Sequence, residues 1–358
     1  MKKTFVTVTG IRPDFIRMSE IFRKLDQNFN HIMVHSGQHF DSLLSDVFFK
    51  NLSLRNPDYN LHVGGEGKEH FHQTAESSVK LIELLRTLGK IDGVIFLGDS
   101  NSVVSSVAVK KEGYRVIHIE AGMRSGDRRM LEEINRVVCD SVSDILFVYH
   151  ENYKQKLLKE NIPSGNIHVV GNTIVEVINQ KKTHLYSRAH EHVLIDIHRP
   201  ENFLYKNSMQ ILLDYIKYFK NNYGDTILFL SFPRTVKKLE EYGLYQEYKN
   251  NCNCIPLQSF DDYLALCSRS IFIISDSGTG QEEPAILDVP VVVPRDYTER
   301  PESVQNHCSI MMNINEPVNP YQIENINNFV KNFKQNKNAD WLGDGTTSEK
   351  IIEVLKKI

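Results

Sequence analysis

The 358-residue chain is short of cysteine, short of tryptophan and nearly balanced in charge, and each scarcity removes a class of protein. Its five cysteines, Cys139, Cys252, Cys254, Cys267 and Cys308, are odd in number and scattered, which argues against a disulfide framework. Cys252-Asn-Cys254 has no second Cys or His pair at metal-ligand spacing, so these read as reduced thiols and no metal is expected. A net charge of −3 provides no basic face for nucleic acid or an anionic membrane. No apolar run approaches a bilayer span. The opening Met-Lys-Lys-Thr-Phe-Val-Thr-Val is broken by Gly10, Arg12, Pro13 and Asp14 before a signal-type core forms, so it reads as a first strand. Reduced thiols and the missing span make the cytoplasm the expected compartment. Neither Gly-x-Gly-x-x-Gly nor Gly-x-x-x-x-Gly-Lys-Ser/Thr occurs, so neither a nicotinamide nor any other cofactor is expected.

The chain does have the composition of a soluble globular protein, 41% hydrophobic and 24% charged, at a length that favours two domains. Short apolar runs at 5–9, 31–35, 93–97, 116–119 and 145–148 alternate with helical stretches at 15–25, 69–88, 102–111 and 131–139. The rhythm restarts after residue 170, with strands expected at 193–197, 227–231, 271–275 and 289–293 and helices at 208–221, 260–268 and 280–287. This predicts an α/β protein of two Rossmann-like domains, 1–170 and 171–345. Their parallel sheets would face an interdomain cleft at the carboxyl ends of the strands. A last amphipathic helix is expected at 347–358, with Ile351, Ile352, Val354, Leu355 and Ile358 on its apolar side.

Candidate chemistry gathers at the expected strand ends. Ser277-Gly-Thr-Gly280, with Thr279 inside it, lies between an apolar run and a helical stretch, where free backbone N–H groups would seat a phosphate or diphosphate. Glu282 and Glu283 follow; one of them would accept ribose hydroxyls, or both would serve only to match a helix dipole. Gly10-Ile-Arg-Pro-Asp14, Gly98-Asp-Ser100, Glu120-Ala-Gly-Met-Arg124 and Asp196-Ile-His198 each follow a strand. Asp99, Glu120 and Glu132 would raise one another's proton affinities and divide acid and base work. Taken singly, Asp99 reads as a helix cap, Glu132 as a solvated first-turn acid, and His198 as a satisfied core histidine. Arg12, Arg17, Arg124 and Arg136 taken singly read as surface ion-pair partners.

The motifs together resemble the non-hydrolysing UDP-N-acetylglucosamine 2-epimerase family. The matching stretches are Gly10-Ile-Arg-Pro-Asp14, Gly37-Gln-His39, Gly98-Asp-Ser100, His118-Ile-Glu-Ala-Gly-Met-Arg124 and Glu132-Glu-Ile-Asn-Arg136. Gly171-Asn172, His198-Arg-Pro-Glu-Asn202, Asp276-Ser-Gly278, Gln281-Glu-Glu283, Thr298-Glu-Arg-Pro-Glu302 and Gly343-Asp-Gly345 continue it in family order. The resemblance implies a glycosyltransferase-B-like fold whose C-terminal helix, 346–358 here, returns to the first domain. It implies inversion of C2 in a UDP-sugar: UDP leaves C1 as the C2 proton is removed, and adds back to the 2-acetamidoglycal with the proton delivered to the other face. By motif matching, Asp99, Glu120 and Glu132 are acid/base candidates, and His198 would stabilise the leaving diphosphate. Ser277, Gly278 and Thr279 occupy the phosphate turn, Glu283 would hold the ribose, and Arg12, Arg17 and Arg136 would offset diphosphate charge. Phe260 or Tyr263 would pack against uracil. Family habit adds a homodimer.

The chain also departs from the family pattern. Asp14 replaces a glutamate, Leu131 a proline, Thr279 a glycine, Phe232 a histidine, and Asp41 a common glutamine. Phe232-Pro-Arg234, Lys237-Lys238, Val47-Phe-Phe49 and Pro57-Asp58 resemble the branch acting on UDP-2-acetamido-2,6-dideoxy-hexoses. A hydrolysing epimerase, a glycosyltransferase of the same fold and a non-catalytic nucleotide-binding module are the alternatives. Carbon-bound proton exchange at C2 separates the epimerases from the last two.

Overall fold

The strands form where runs of β-branched and large apolar residues are buried on both faces, the sequence pattern of a parallel sheet covered by helices. In the computed structural model, which describes residues 2–37, 49, 52–65, 69–128, 130–185, 191–224 and 226–358, these runs build two sheets. The chain divides into two units, 1–177 with 342–358, and 178–341. The expected domain boundary at residue 170 and the C-terminal boundary at 345 fall a few residues from these divisions.

In the first unit the described strands are β1 (Thr4–Thr9), β2 (Asn30–His35), β3 (Tyr59–Asn60), β4 (Gly93–Leu97), β5 (Val116–Ile119), β6 (Ile145–Val148) and β7 (Ile167–Val169). They are ordered β3-β2-β1-β4-β5-β6-β7, and all the pairings are parallel. The order reverses between β1 and β4, and at such a switch point α/β proteins bind ligands. Alternate residues of neighbouring strands share a face: Val6 and Val8 lie with Val94 and Phe96 in one core cluster, closed by Leu81 and Leu85 of the helix His70–Thr87.

In the second unit β8 (His192–Asp196), β9 (Ile227–Leu230), β10 (Asn253–Ile255), β11 (Ser270–Ser275), β12 (Val291–Val293) and β13 (Ser309–Met311) are ordered β10-β9-β8-β11-β12-β13, again parallel. The switch point falls between β8 and β11. Its core centres on Phe219, Phe229, Phe272 and Tyr248, with Phe219 and Phe272 edge to face at 5.1 Å.

Three expected helices differ from those observed. The stretch 15–25 is two helices, Arg12–Arg17 and Ser19–Asn28, divided at Met18, where ψ of 2° leaves the helical well. The stretch 102–111 begins with a 3-10 segment, Asn101–Ser105, before Ser106–Lys111 becomes α-helical. The stretch 280–287 is a 3-10 turn, Thr279–Gln281, followed by the four-residue helix Glu283–Ile286. Pro284 lacks an N–H and so cannot extend the hydrogen-bond ladder from the preceding turn. A segment this short carries little macrodipole, so any anion seat there depends on local N–H groups. The helices Glu151–Lys159, Thr173–Leu185, Pro233–Glu241 and Tyr245–Asn251, and the short strands β3, β7, β10 and β13, are additions to the sequence reading. Among the described residues no helix is long and apolar enough to cross a membrane.

The C-terminal helix Thr347–Lys357 docks on Ser19–Asn28, with Lys24 2.9 Å from Glu349 and the Lys3 ammonium donating to the carbonyl of Lys356 at 2.7 Å. Where this segment re-enters the first unit, two backbones touch. Gly343 has φ of 99°, and a Cβ there would stand 2.8 Å from Gly171 Cα. Asn172 donates from its N–H to the carbonyl of Leu342 at 2.7 Å, and the Ser348 N–H donates to Glu176 at 2.9 Å. Gly343→Ala therefore meets both a disfavoured dihedral and a backbone clash, and is expected to destabilise the protein by about 1–3 kcal/mol in urea unfolding. An unshifted midpoint would remove the contact from the stability of the fold.

Candidate active site

The motif after β1 is first a device for starting a helix. Asp14 is the third residue of Arg12–Arg17, and its carboxylate turns back to accept from the N–H groups of Gly10 at 2.7 Å and Ile11 at 3.1 Å. Pro13 supplies a preset φ within the first turn. This aims Arg17, one turn on, at the strand ends. The Arg17 guanidinium lies 2.7 Å from Glu120 Oε2. From the other side, Arg136 of the helix Leu131–Val142 lies 3.0 Å from Glu120 Oε1 and also bonds to Asp99 after β4. Arg17, Glu120 and Arg136 are buried, and Asp99 is half-buried.

Glu120 is held in an unusual way. Its φ is 70°, the left-handed region that a glutamate enters at a cost of about 1–3 kcal/mol. Such a conformation persists only where its surroundings over-determine it, and here two arginines grip the carboxylate. Oppositely charged neighbours offset the desolvation that a buried acid would otherwise suffer. Asn135 secures the Asp99 loop by donating to the Asp99 carbonyl at 2.9 Å. Behind the site, buried His118 bridges Asp140 at 2.7 Å and the carbonyl of Gly98 at 2.8 Å, tying β4, β5 and the helix Leu131–Val142 together. Burial works against protonation of His118, but Cys139 and Asp140 outweigh it, and its pKa stands well above the usual histidine value.

The acids of the pair Glu132-Glu133 part company. Glu133 is buried and accepts from the N–H groups of Ser125 at 2.8 Å and Gly126 at 3.2 Å, fixing the loop after Glu120. Glu132 is half-buried, one helical turn before Arg136. Arg12 opens the helix Arg12–Arg17. Gln38, His39 and Asp41 lie outside the described residues, as do Val47 and Phe48.

The second unit carries a separate group at its own switch point. Asp196, the last residue of β8, bonds His198 Nδ1 at 2.9 Å, Ser275 Oγ at 3.0 Å and the Tyr263 hydroxyl at 3.3 Å. Buried Asp276 accepts from the N–H groups of His198 and Arg199, each at 3.0 Å, and from the Asn202 amide at 3.0 Å. His198 is thereby fixed in orientation, and Nε2 is left to meet a ligand. Burial opposes its charge, but Asp196 and Asp276 prevail, and its pKa is raised above 6.5. The donor atoms of Asp196, His198 and Asp276 lie within 4.8 Å of one another, a spacing open to a cation. Their hydrogen bonds to backbone, hydroxyl and ring groups already use that geometry, which fits an orienting network better than a coordination shell.

Ser277 and Thr279 are half-buried, with hydroxyls 3.2 Å apart, and flank buried Gly278. A Cβ on Gly278 would stand 2.8 Å from an Arg300 nitrogen, so glycine lets the turn rest on that guanidinium. Arg300 is itself held by Glu282 at 3.0 Å and Glu299 at 2.8 Å. Of the two candidate ribose acids, Glu282 is thus the ion-pair partner of Arg300. Glu283 lies near Tyr263 and Cys267, whose proton affinities are raised first by burial and also by the Glu283 charge. Tyr263 is anchored through its hydroxyl, and Phe260 begins its helix, Phe260–Ser268. The Phe232 ring, in place of the family histidine, packs on His198 with centroids 4.8 Å apart.

The structure therefore gathers Asp99, Glu120, Arg17 and Arg136 in the first unit, with Glu132 on the same helix as Arg136. In the second it sets His198 and Tyr263 on one network and Ser277, Gly278 and Thr279 in one turn. Sequence reading assigned no role to Tyr149 or to buried Glu133, and it named Arg300 only within the Thr298-Glu-Arg-Pro-Glu302 motif. Tyr149 had no motif around it; Glu133 had the same surroundings as Glu132, and only the helix phase separates them.

Two parallel Rossmann-like sheets, with carboxylates at one switch point and an anion-type turn at the other, define a glycosyltransferase-B-like α/β protein. The family model described as UDP-N-acetylglucosamine 2-epimerase matches residues 23–356, and the chain belongs to that family of isomerases. A "UDP-N-acetylglucosamine 2-epimerase" of Methanococcus maripaludis is 34% identical, with 97% of each chain covered. A Pseudomonas aeruginosa "UDP-2,3-diacetamido-2,3-dideoxy-D-glucuronate 2-epimerase" is 29% identical, with 99% of each covered. The crystal structure of Methanocaldococcus jannaschii UDP-GlcNAc 2-epimerase in complex with UDP-GlcNAc and UDP has a TM-score of 0.87 at 33% identity, covering 99% of this chain and 100% of that one.

Asp14 supplies a prediction for the site as a whole. Burial, helped by the nearby Asp99 and Glu120 charges and opposed by the Gly10 and Ile11 N–H groups, raises its pKa from 3.8 to about 7. Between those values the folded state binds a proton that the unfolded chain has lost, so this group's stabilisation is full below pH 4 and fades as pH rises through 7. Asp14→Asn is expected to remove that part of the stability-against-pH slope in chemical unfolding. A slope equal to that of the wild type would mean Asp14 does not titrate there.

Proposed function

We propose that the protein inverts C2 of a UDP-2-acetamido sugar, converting UDP-N-acetylglucosamine to UDP-N-acetylmannosamine for surface-polysaccharide precursors. The observation that carries this is Glu120, held in strained backbone beside Asp99 by Arg17 and Arg136, in a chain of the epimerase family. C2 of the sugar is not acidified by a carbonyl, so removing its proton is favourable only as the C1–oxygen bond to UDP breaks. The pair of electrons from C2–H then forms the C1–C2 double bond of a 2-acetamidoglycal. Returning UDP to C1 with a proton on the opposite face of C2 completes the inversion.

Anti elimination followed by syn re-addition needs acid/base groups that serve two faces. Asp99, Glu120 and Glu132 are proposed for this work, with Arg136 holding the first two at fixed spacing. His198, oriented by Asp196 and Asp276 and with a raised pKa, would present a cationic Nε2 to the departing diphosphate. Ser277, Gly278 and Thr279 would receive phosphate oxygens and Glu283 the ribose, Phe260 or Tyr263 would pack against uracil, and Arg12, Arg17 and Arg136 would offset the remaining negative charge. No step needs a metal or nicotinamide. We further propose that the protein acts as a cytoplasmic homodimer; a monomeric mass by light scattering would reject the dimer.

Proton NMR of the protein with UDP-N-acetylglucosamine in D2O tests the reading. Deuterium at C2 with a new UDP-linked epimer is the expected result. Free UDP and free sugar would replace it with the hydrolysing reaction, and absence of exchange would discard it for this substrate. The Pseudomonas relative, named for a diacetamido-dideoxy-uronate, makes a uronate UDP-sugar the next substrate to try, and the Phe232-Pro-Arg234 resemblance adds 2-acetamido-2,6-dideoxy UDP-sugars. Glu120→Gln is expected to retain UDP binding by calorimetry while turnover falls by about 10²–10⁴. Turnover at the wild-type rate would remove Glu120 from the acid/base set. Ser277→Ala is expected to weaken UDP binding about tenfold, the loss of one hydrogen bond to a charged oxygen.

A further inference from the structure

Tyr149 follows β6 by one residue, is buried, and has no part in the chemistry set out above. Its hydroxyl lies 3.3 Å from Glu120 Oε2, 2.9 Å from Thr173 Oγ1 and 3.4 Å from an Arg17 nitrogen. Arg17 also sits 5.6 Å from the centre of the Tyr149 ring.

A phenol has one proton to give and two lone pairs to offer. Arginine can only donate, and a carboxylate can only accept. If Thr173 donates as well, the three contacts are satisfied together: Arg17 and Thr173 donate to the phenol oxygen, and the phenol donates to Glu120. Thr173 is the first residue of Thr173–Leu185, and it is buried, so its hydroxyl is held in place. Resting on the epimerase reading, we infer that Tyr149 is a positioning residue for the reaction, its hydroxyl orienting the Glu120 carboxylate, with Thr173 orienting the hydroxyl in turn.

The charged groups around Glu120 explain the use of a phenol. Arg17 comes from the helix after β1, Arg136 from the helix Leu131–Val142, Asp99 from the end of β4, and Asp14 from the turn beneath Arg17. Two cations already face the carboxylate. A third would hold it more firmly in its ionised form and make it a poorer base, whereas a neutral hydroxyl adds direction with less effect on proton affinity. Because the Glu120 backbone is in the left-handed region, the donors around the side chain must supply the directional control.

The test uses the full-length protein with Tyr149→Phe, Thr173→Val and the double variant. Tyr149→Phe is expected to lower kcat roughly 10-fold to 100-fold, the loss of one hydrogen bond to a charged group, with KM and UDP affinity within about twofold of the wild type. Thr173→Val should give a smaller loss, and the double variant should be no worse than Tyr149→Phe alone, since both act through one hydroxyl. Unchanged kcat in Tyr149→Phe, or losses that multiply in the double variant, would overturn the inference. A carbon-13 NMR titration of the Glu120 carboxyl reads the same contact without turnover. In Tyr149→Phe its midpoint should move up, because a donor to the charged form has gone. An unmoved midpoint overturns the inference even if the wild-type protein shows no C2 exchange, an outcome that would by itself defeat only the epimerase reading.

Discussion

The first unit's site depends on one guanidinium. Arg136 is almost wholly buried and reaches both Asp99 and Glu120, whose backbones sit at the ends of adjacent strands, β4 and β5. Without a cation between them, two carboxylates brought together in a buried place would repel, and one would take up a proton. The arginine lets both remain close. Its own position is set by helix phase, which turns Glu133, Arg136, Cys139 and Asp140 of Leu131–Val142 to the buried side, so the helix brings its charges into the site together.

The second unit solves a similar problem with a different element. Asp276 is fully buried, but its partners are mainly backbone N–H groups, those of His198 and Arg199. Burial raises its proton affinity, while the His198 charge and these N–H groups pull it down. The carboxylate thereby fastens the loop after β8 to the loop after β11 across the switch point. His198 gains its orientation from two neighbouring acids without spending its second ring nitrogen. In each unit, acidic residues at strand ends do structural work that makes another group chemically useful.

Much of this was legible in the sequence, for identifiable reasons. The strands β4 and β6 coincide with uninterrupted apolar runs, and β5 with one broken only by His118, because a central parallel strand is buried on both faces. Asp99, Glu120 and His198 were legible because they follow such runs immediately. Glu132 and Glu133 were not separable, since one step of 100° decides which faces the core. Tyr149 was hidden by resembling the apolar strand it ends, its hydroxyl invisible to any hydrophobic pattern. The short helix after the Ser277-Gly-Thr-Gly280 turn was misread because Pro284 interrupts the ladder at a point where the apolar spacing alone continues. Edge strands such as β3 and β10 carry polar residues and leave a weaker pattern.

The paired glycines at 171 and 343 mark where the chain leaves the first unit and where it comes back. The second unit is one unbroken stretch of sequence; the first is not, because its last helix lies beyond the whole of the second. During synthesis, the second unit can therefore complete its sheet while the first still lacks the helix that covers Ser19–Asn28. The first unit is then closed only by a segment made after the second, although it is the first to begin emerging from the ribosome.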